Sequence, residues 1–159
     1  MTRVYNADAA DKLSGTARTI LDDKGWSVFT IAAGATVYDA VAAMDEKRVG
    51  ALFVVEGDRL VGVVSERDYA RKVVLQGRSS SDTTVAEIMS SPVINVELGT
   101  TLGQCMHIVT ERHIRHLAVV EAGRLVGVIT IGDIVRTIVS VQAQTIEGLN
   151  TLITGPYPG

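Results

Sequence analysis

Two short segments carry the side chains best suited to chemistry, Gly62-Val-Val-Ser65-Glu-Arg-Asp68 and Gly127-Val-Ile-Thr130-Ile-Gly-Asp133. In each, a glycine precedes a hydroxyl, which in turn precedes a carboxylate, at equal spacing. A carboxylate placed this way can accept from both vicinal hydroxyls of a ribose, and the first amides of a following helix attract phosphate. The same Ser/Thr-x-x-Asp spacing is also a capping box, a purely structural device. Related spacings recur at Thr36 and Thr84, so spacing alone leaves both readings open. The cap does not explain the glycine, because glycine near a strand end often marks close approach by a ligand or another backbone.

Other reactive side chains are sparse. His107, His113 and His116 have no cysteine or carboxylate set at ligand spacing around them, so no metal site is expected. Cys105 falls on the apolar face of a helical pattern and reads as a small core residue. No nucleophile elbow or Ser-His-Asp order is recognisable, and the chain reads as a non-enzyme. Arg67, Arg71 and Lys72 follow Ser65 closely. They are either a solvated helix face or the neighbours of something anionic, since basic residues in a first turn oppose the helix dipole.

The elements that must position these groups come from an internal duplication. Leu52-Phe-Val-Val-Glu-Gly-Asp-Arg-Leu-Val-Gly-Val-Val-Ser65 recurs as Leu117-Ala-Val-Val-Glu-Ala-Gly-Arg-Leu-Val-Gly-Val-Ile-Thr130. Each copy reads strand, helix, strand, strand, helix. Val28–Ile31 and Val93–Val96 are β-rich runs, and capping-type starts follow at Thr36 and Thr101. Val37, Ala40, Val41 and Met44 in one copy, and Leu102, Cys105, Met106 and Val109 in the other, keep helical spacing. Turn residues at Glu56-Gly57-Asp58 and Glu121-Ala122-Gly123 make hairpins, and a last helix begins near Asp68 and Asp133. The expected organisation is an N-terminal segment over 1–27, a first repeat over 28–80, a linker with a short helix over 81–92, a second repeat over 93–143 and a tail over 144–159. The stretch around Ala17, Ile20 and Leu21 is expected to give the first copy its own short helix. Ile134, Ile138, Ile146 and Leu149 suggest a surplus apolar face that a second copy of the chain would cover.

Bulk properties exclude several classes. The chain has 159 residues, enough for one compact unit or two small ones but short for an enzyme with separate cofactor and substrate domains. A net charge of −3 offers no positive field for a nucleic-acid backbone. The start lacks the layout of a signal peptide, no apolar run approaches a membrane span, and the single cysteine fits a reducing compartment. A cytoplasmic protein binding neither nucleic acid nor membrane is expected.

The duplicated βαββα unit, with its hairpin ending in Gly-hydrophobic-hydrophobic-Ser/Thr-x-x-Asp, resembles the CBS-domain pair, or Bateman module, over nearly everything from Val28 to Ser140. That resemblance implies an α+β fold of two tandem repeats packed with pseudo-twofold symmetry, each a small three-stranded sheet flanked by helices. It also implies adenosyl ligands in the clefts of the pair: AMP, ADP or ATP, with NAD or S-adenosylmethionine as further candidates. By the same resemblance Thr130 with Asp133, and Ser65 with Asp68, bind ribose, and Arg115 and His116 reach phosphate. The first copy has Gly50 and Ala51 where the second has Arg115 and His116, and carries Arg67 and Arg71 instead. Gly132 stands opposite Arg67 and leaves room at the helix start, so two unequal sites are expected, the second better formed. The implied role is a regulatory module, with a homodimer and an unidentified protein target as partners. Alternatives are a structural dimerisation module without nucleotide, or a module regulating a separate enzyme or transporter by direct association.

Overall fold

The structure, a computed structural model, describes residues 15–140. Its elements are α1 (Ala17–Lys24), β1 (Thr30–Ala32), α2 (Val37–Lys47), β2 (Ala51–Glu56), β3 (Arg59–Ser65), α3 (Glu66–Tyr69, continued by a π-helical turn over Ala70–Val74), α4 (Val85–Ile88), β4 (Asn95–Glu97), α5 (Leu102–Arg112), β5 (His116–Glu121), β6 (Arg124–Thr130) and α6 (131–140). This is the α+β order of two βαββα repeats. The opening strands begin two residues later than the β-rich runs suggest.

The described chain divides into two compact units. One comprises Ser27–Asn95 with Ala118–Gly127, the tip of the second hairpin. In it β1 runs parallel to β2 in the register Thr30↔Phe53, and β2 runs antiparallel to β3 from Ala51↔Ser65 to Glu56↔Arg59, with a shift at Val54/Val55. The edge of β3 meets β6 at Arg59↔Arg124, so the expected three-stranded sheet extends onto the hairpin tip. Thr36 accepts a hydrogen bond from the Asp39 N–H (3.1 Å) and starts α2, whose Val37, Ala40 and Met44 are buried with Leu52, Val54, Val64, Val85 and Ile88. The aliphatic stripe is therefore the core face that its helical spacing announces.

The other unit comprises residues 15–26, 96–117 and 128–140 of the described chain. Thr101 and Gln104 cap α5 reciprocally (3.1 and 3.2 Å), and Leu102, Cys105 and Val109 are buried, as are Ala17, Ile20, Leu21, Leu117, Ile129 and Ile134. Both α2 and α5 end on a non-glycine residue in the left-handed region, Arg48 (φ 55°) and His113 (φ 51°), a conformation that closes a helix at a steric cost.

One expectation is corrected. α1 does not serve the first repeat: Ala17 and Arg18 donate to the carbonyls of Thr100 (2.8 Å) and Leu98 (3.1 Å), and Leu102 donates to Gly15 (3.2 Å). The first repeat receives α4 in the same manner. Val85 and Ala86 donate to Ala35 (2.8 Å) and Ala33 (3.0 Å), and Val37 donates to Thr83 (2.8 Å). Each repeat is thus completed by a short helix that precedes the other repeat in sequence. Nothing in local periodicity distinguishes these assignments, because both short helices offer the same kind of apolar face.

Candidate functional site

The second repeat places its hydroxyl and carboxylate across the turn from β6 to α6. Strand pairing ends at Thr130, and the chain enters the helix with Asp133 in its first turn. The Thr130 N–H donates to Asp133 Oδ2 (2.8 Å), and the Asp133 N–H donates to Thr130 Oγ1 (3.1 Å). That is a reciprocal cap. Asp133 nevertheless does more than a cap requires. It is only 6% exposed, and two cations converge on it, Lys24 Nζ at Oδ2 and Arg136 Nη2 at Oδ1, each 2.5 Å away. Lys24 also donates to the Val128 carbonyl (3.0 Å), and the Thr137 hydroxyl donates to the Asp133 carbonyl (2.9 Å). Burial alone raises the Asp133 pKa. The hydrogen bonds from Lys24 and Thr130 overcome it, and the carboxyl is held below its ordinary value.

A cavity of ≈ 420 Å³ opens beside this carboxylate, lined by Thr19, Ile20, Asp23, Lys24, Asp133, Arg136, Thr137 and Ser140. Its size falls in the range of about 300–1,000 Å³ that small-molecule sites occupy. Two cations, two carboxylates and three hydroxyls suit a polar, charged ligand.

The first repeat repeats the turn with a different neighbourhood. The Ser65 N–H and Oγ–H donate to Asp68 Oδ2 (2.8 and 3.0 Å), and the Asp68 N–H donates to Ser65 Oγ (3.1 Å). Among the described residues one cation answers, Lys72, which reaches Asp68 Oδ1 (3.1 Å) and the Ile88 carbonyl (2.7 Å). Arg67 and Arg71 are exposed. Gly62 is buried, and a side chain there would meet Met89 Cγ at 2.9 Å and the Ser90 carbonyl at 3.1 Å. Ser90 and Val63 exchange backbone hydrogen bonds (2.9 and 3.0 Å) at this point. The glycine that the cap leaves unexplained in this copy therefore makes room for the chain's own linker.

Of the remaining expected site residues, Arg115 and His116 have exposed side chains at the start of β5, and Arg115 contributes its carbonyl to the Ile131 N–H (3.1 Å). Neither lines the cavity beside Asp133. A methyl on Gly132 would make only ordinary contacts, 3.5 Å to Arg136 and 3.7 Å to Thr130, so the room there is modest. Sequence reasoning missed Lys24, Asp23, Thr19, Arg136 and Thr137. Arg136 and Thr137 were within reach, because they lie one helical turn after Asp133. The α1 residues were not, because their place depends on which repeat α1 joins. Cys105 is fully buried, and burial pushes its thiol up to about 11. Among the described residues no helix is long and apolar enough to cross a membrane.

The sequence matches the family described as CBS domain over residues 24–75 and 85–140. A mitochondrial relative from Arabidopsis thaliana, CBS domain-containing protein CBSX3, is 41% identical over 127 residues. The match covers 77% of this chain and 62% of that protein, so the chain spans less than two thirds of this relative's length. The structure of a protein with CBS domains from Burkholderia ambifaria MC40-6 is similar with a TM-score of 0.68 at 47% identity, covering 79% of this chain and 94% of that one. A structure of CBSX2 in complex with AMP is similar with a TM-score of 0.62 at 27% identity, covering 73% and 90%.

Proposed function

The chain belongs to the CBS domain family as a tandem pair, and from that premise we propose that it is a regulatory module binding adenine nucleotides at two unequal strand-to-helix turns. The observation that carries this reading is the recurrence of one reciprocal hydroxyl–carboxylate pair in both repeats, with a charged cavity beside the second. The AMP complex of CBSX2 supports an adenine nucleotide as the ligand class. AMP is the first candidate, ahead of ADP, ATP, NAD and S-adenosylmethionine. Among the described residues the two sites differ in charge, since Asp133 is buried between Lys24 and Arg136 while Asp68 meets Lys72. Binding shifts an equilibrium between states of the module or of its contact with a protein target, to the extent that the ligand prefers one state. The module works by association, with no reaction of its own, in the cytoplasm and as a homodimer.

Calorimetric titration with AMP tests this. Asp133→Ala is expected to lose more affinity than Asp68→Ala, and equal losses contradict the inequality. A second reading has its own support, because the Ser65–Asp68 pair is fully used as a cap and a structural dimerisation module needs nothing more. Thermal shift with AMP, ATP, NAD or S-adenosylmethionine separates the two, since a ligand that prefers the folded state raises apparent stability.

A further inference from the structure

Asp133 is already occupied by the protein itself. A carboxylate offers about four acceptor positions. Here the Thr130 N–H and Lys24 share Oδ2, and Arg136 takes Oδ1. A ribose diol needs two of these positions, and about one is left. A cation must therefore leave before both sugar hydroxyls can be accepted. Lys24 is the candidate, because it shares Oδ2 with the Thr130 N–H while Arg136 has Oδ1 to itself from the same helix as Asp133. It is an ammonium on a four-carbon stem at the last residue of α1 and at the wall of the ≈ 420 Å³ cavity, and its release also gives up its bond to the Val128 carbonyl. A departing ammonium needs a new anion, and a bare nucleoside brings none.

We propose that Lys24 is a selectivity latch: it occupies Asp133 in the empty site and is released only by a ligand whose phosphate can take it over, so the cavity admits a nucleoside monophosphate and discriminates against the nucleoside. This rests on the nucleotide reading above. The charges around the cavity set an upper limit as well. Lys24 and Arg136 are balanced by Asp133 and Asp23. With Arg136 still on Asp133, the released Lys24 is the cation that a monophosphate meets, whereas a triphosphate brings more negative charge than it can neutralise, next to Asp23. Thr19 and Thr137 add hydroxyls and no charge.

The test is calorimetric titration of the full chain, in an Asp68→Ala background that silences the other turn, with AMP, adenosine and ATP as probes. AMP is expected to bind about tenfold or more tightly than adenosine, the scale of a charge-assisted hydrogen bond. Lys24→Met should weaken AMP and leave adenosine as tight or tighter, collapsing the ratio towards one, and Lys24→Arg should keep it. Asp23→Asn should improve ATP relative to AMP. Each ratio is taken within one protein sample, so a loss of folded fraction does not imitate the effect. An AMP-to-adenosine ratio unchanged by Lys24→Met overturns the latch, and ATP binding as tight as AMP in the parent chain overturns the upper limit. Failure of the unsubstituted chain to bind AMP at all overturns the nucleotide reading instead.

Discussion

Asp133 and Gly62 belong to the same short motif, and what each does depends on what its neighbours bring: cations to the carboxylate, a crossing backbone to the glycine. The Asp133 carboxyl is held below its ordinary value by hydrogen bonds that outweigh its burial. A carboxylate with a depressed folded-state pKa stabilises the fold fully above its unfolded value of about 3.9, and that contribution fades as pH falls through the folded-state pKa. Thermal melts from pH 6 downwards should therefore show the advantage of the parent chain over Asp133→Asn shrinking in acid; a constant difference would contradict the assignment. At Gly62 the constraint is steric, with the Ser90 carbonyl 3.1 Å from where a methyl would sit. Gly62→Ala is expected to cost about 1–3 kcal/mol in urea unfolding. Gly34→Ala, with nothing within 4 Å, should be close to neutral and is the control.

Among the elements, α1 is the one whose partner decides a site. Ile20 and Leu21 are buried, and the backbone contacts of α1 with Leu98 and Thr100, and of the preceding Gly15 with Leu102, bring Lys24 to Asp133. Leu21→Ala should cost about 2–5 kcal/mol. Native-state hydrogen exchange should show the lost protection in α5 and α6, leaving β2 and β3 protected. Loss confined to β2 and β3 would mean that α1 belongs to the first repeat after all. α3 and α6 diverge although their starts are near copies: α6 continues as a regular helix over 131–140, while α3 passes into a π-helical turn over Ala70–Val74, where Lys72 reaches the Ile88 carbonyl.

For the whole molecule, the proposed homodimer has a candidate surface on α6 that includes neither Ile134 nor Ile138, two of the four residues that the sequence offered for it. Ile134 is fully buried and Ile138 half-buried, whereas Ile131, Val135 and Val139 are 43, 45 and 57% exposed and share one face of α6 at a spacing of four residues. Ile146 and Leu149 lie outside the described residues. Such a stripe costs hydration until it is covered. Sedimentation equilibrium should find the parent chain dimeric and Val139→Glu shifted towards monomer. A parent chain that stays monomeric at micromolar concentration removes the dimer from the proposal.

The repeat, the order of its elements, the buried faces of α2 and α5 and the two hydroxyl–carboxylate pairs were all legible in the sequence. Each is a local pattern in which period, cap or turn residue acts within a few positions along the chain. Cys105 as core and Asp68 and Asp133 as partners of Ser65 and Thr130 followed from the same local rules. Tertiary structure decided what local rules leave degenerate. Two short helices, α1 and α4, were equally fit for either repeat, and only packing assigned them. That assignment turned Asp133 from a helix cap into a buried carboxylate held by Lys24, and set the two turns apart by the cations that reach them. The reason is one of range: hydrogen bonds over three residues can be read from spacing, whereas an ammonium meeting a carboxylate from a distant helix is specified only once the apolar faces have chosen their partners.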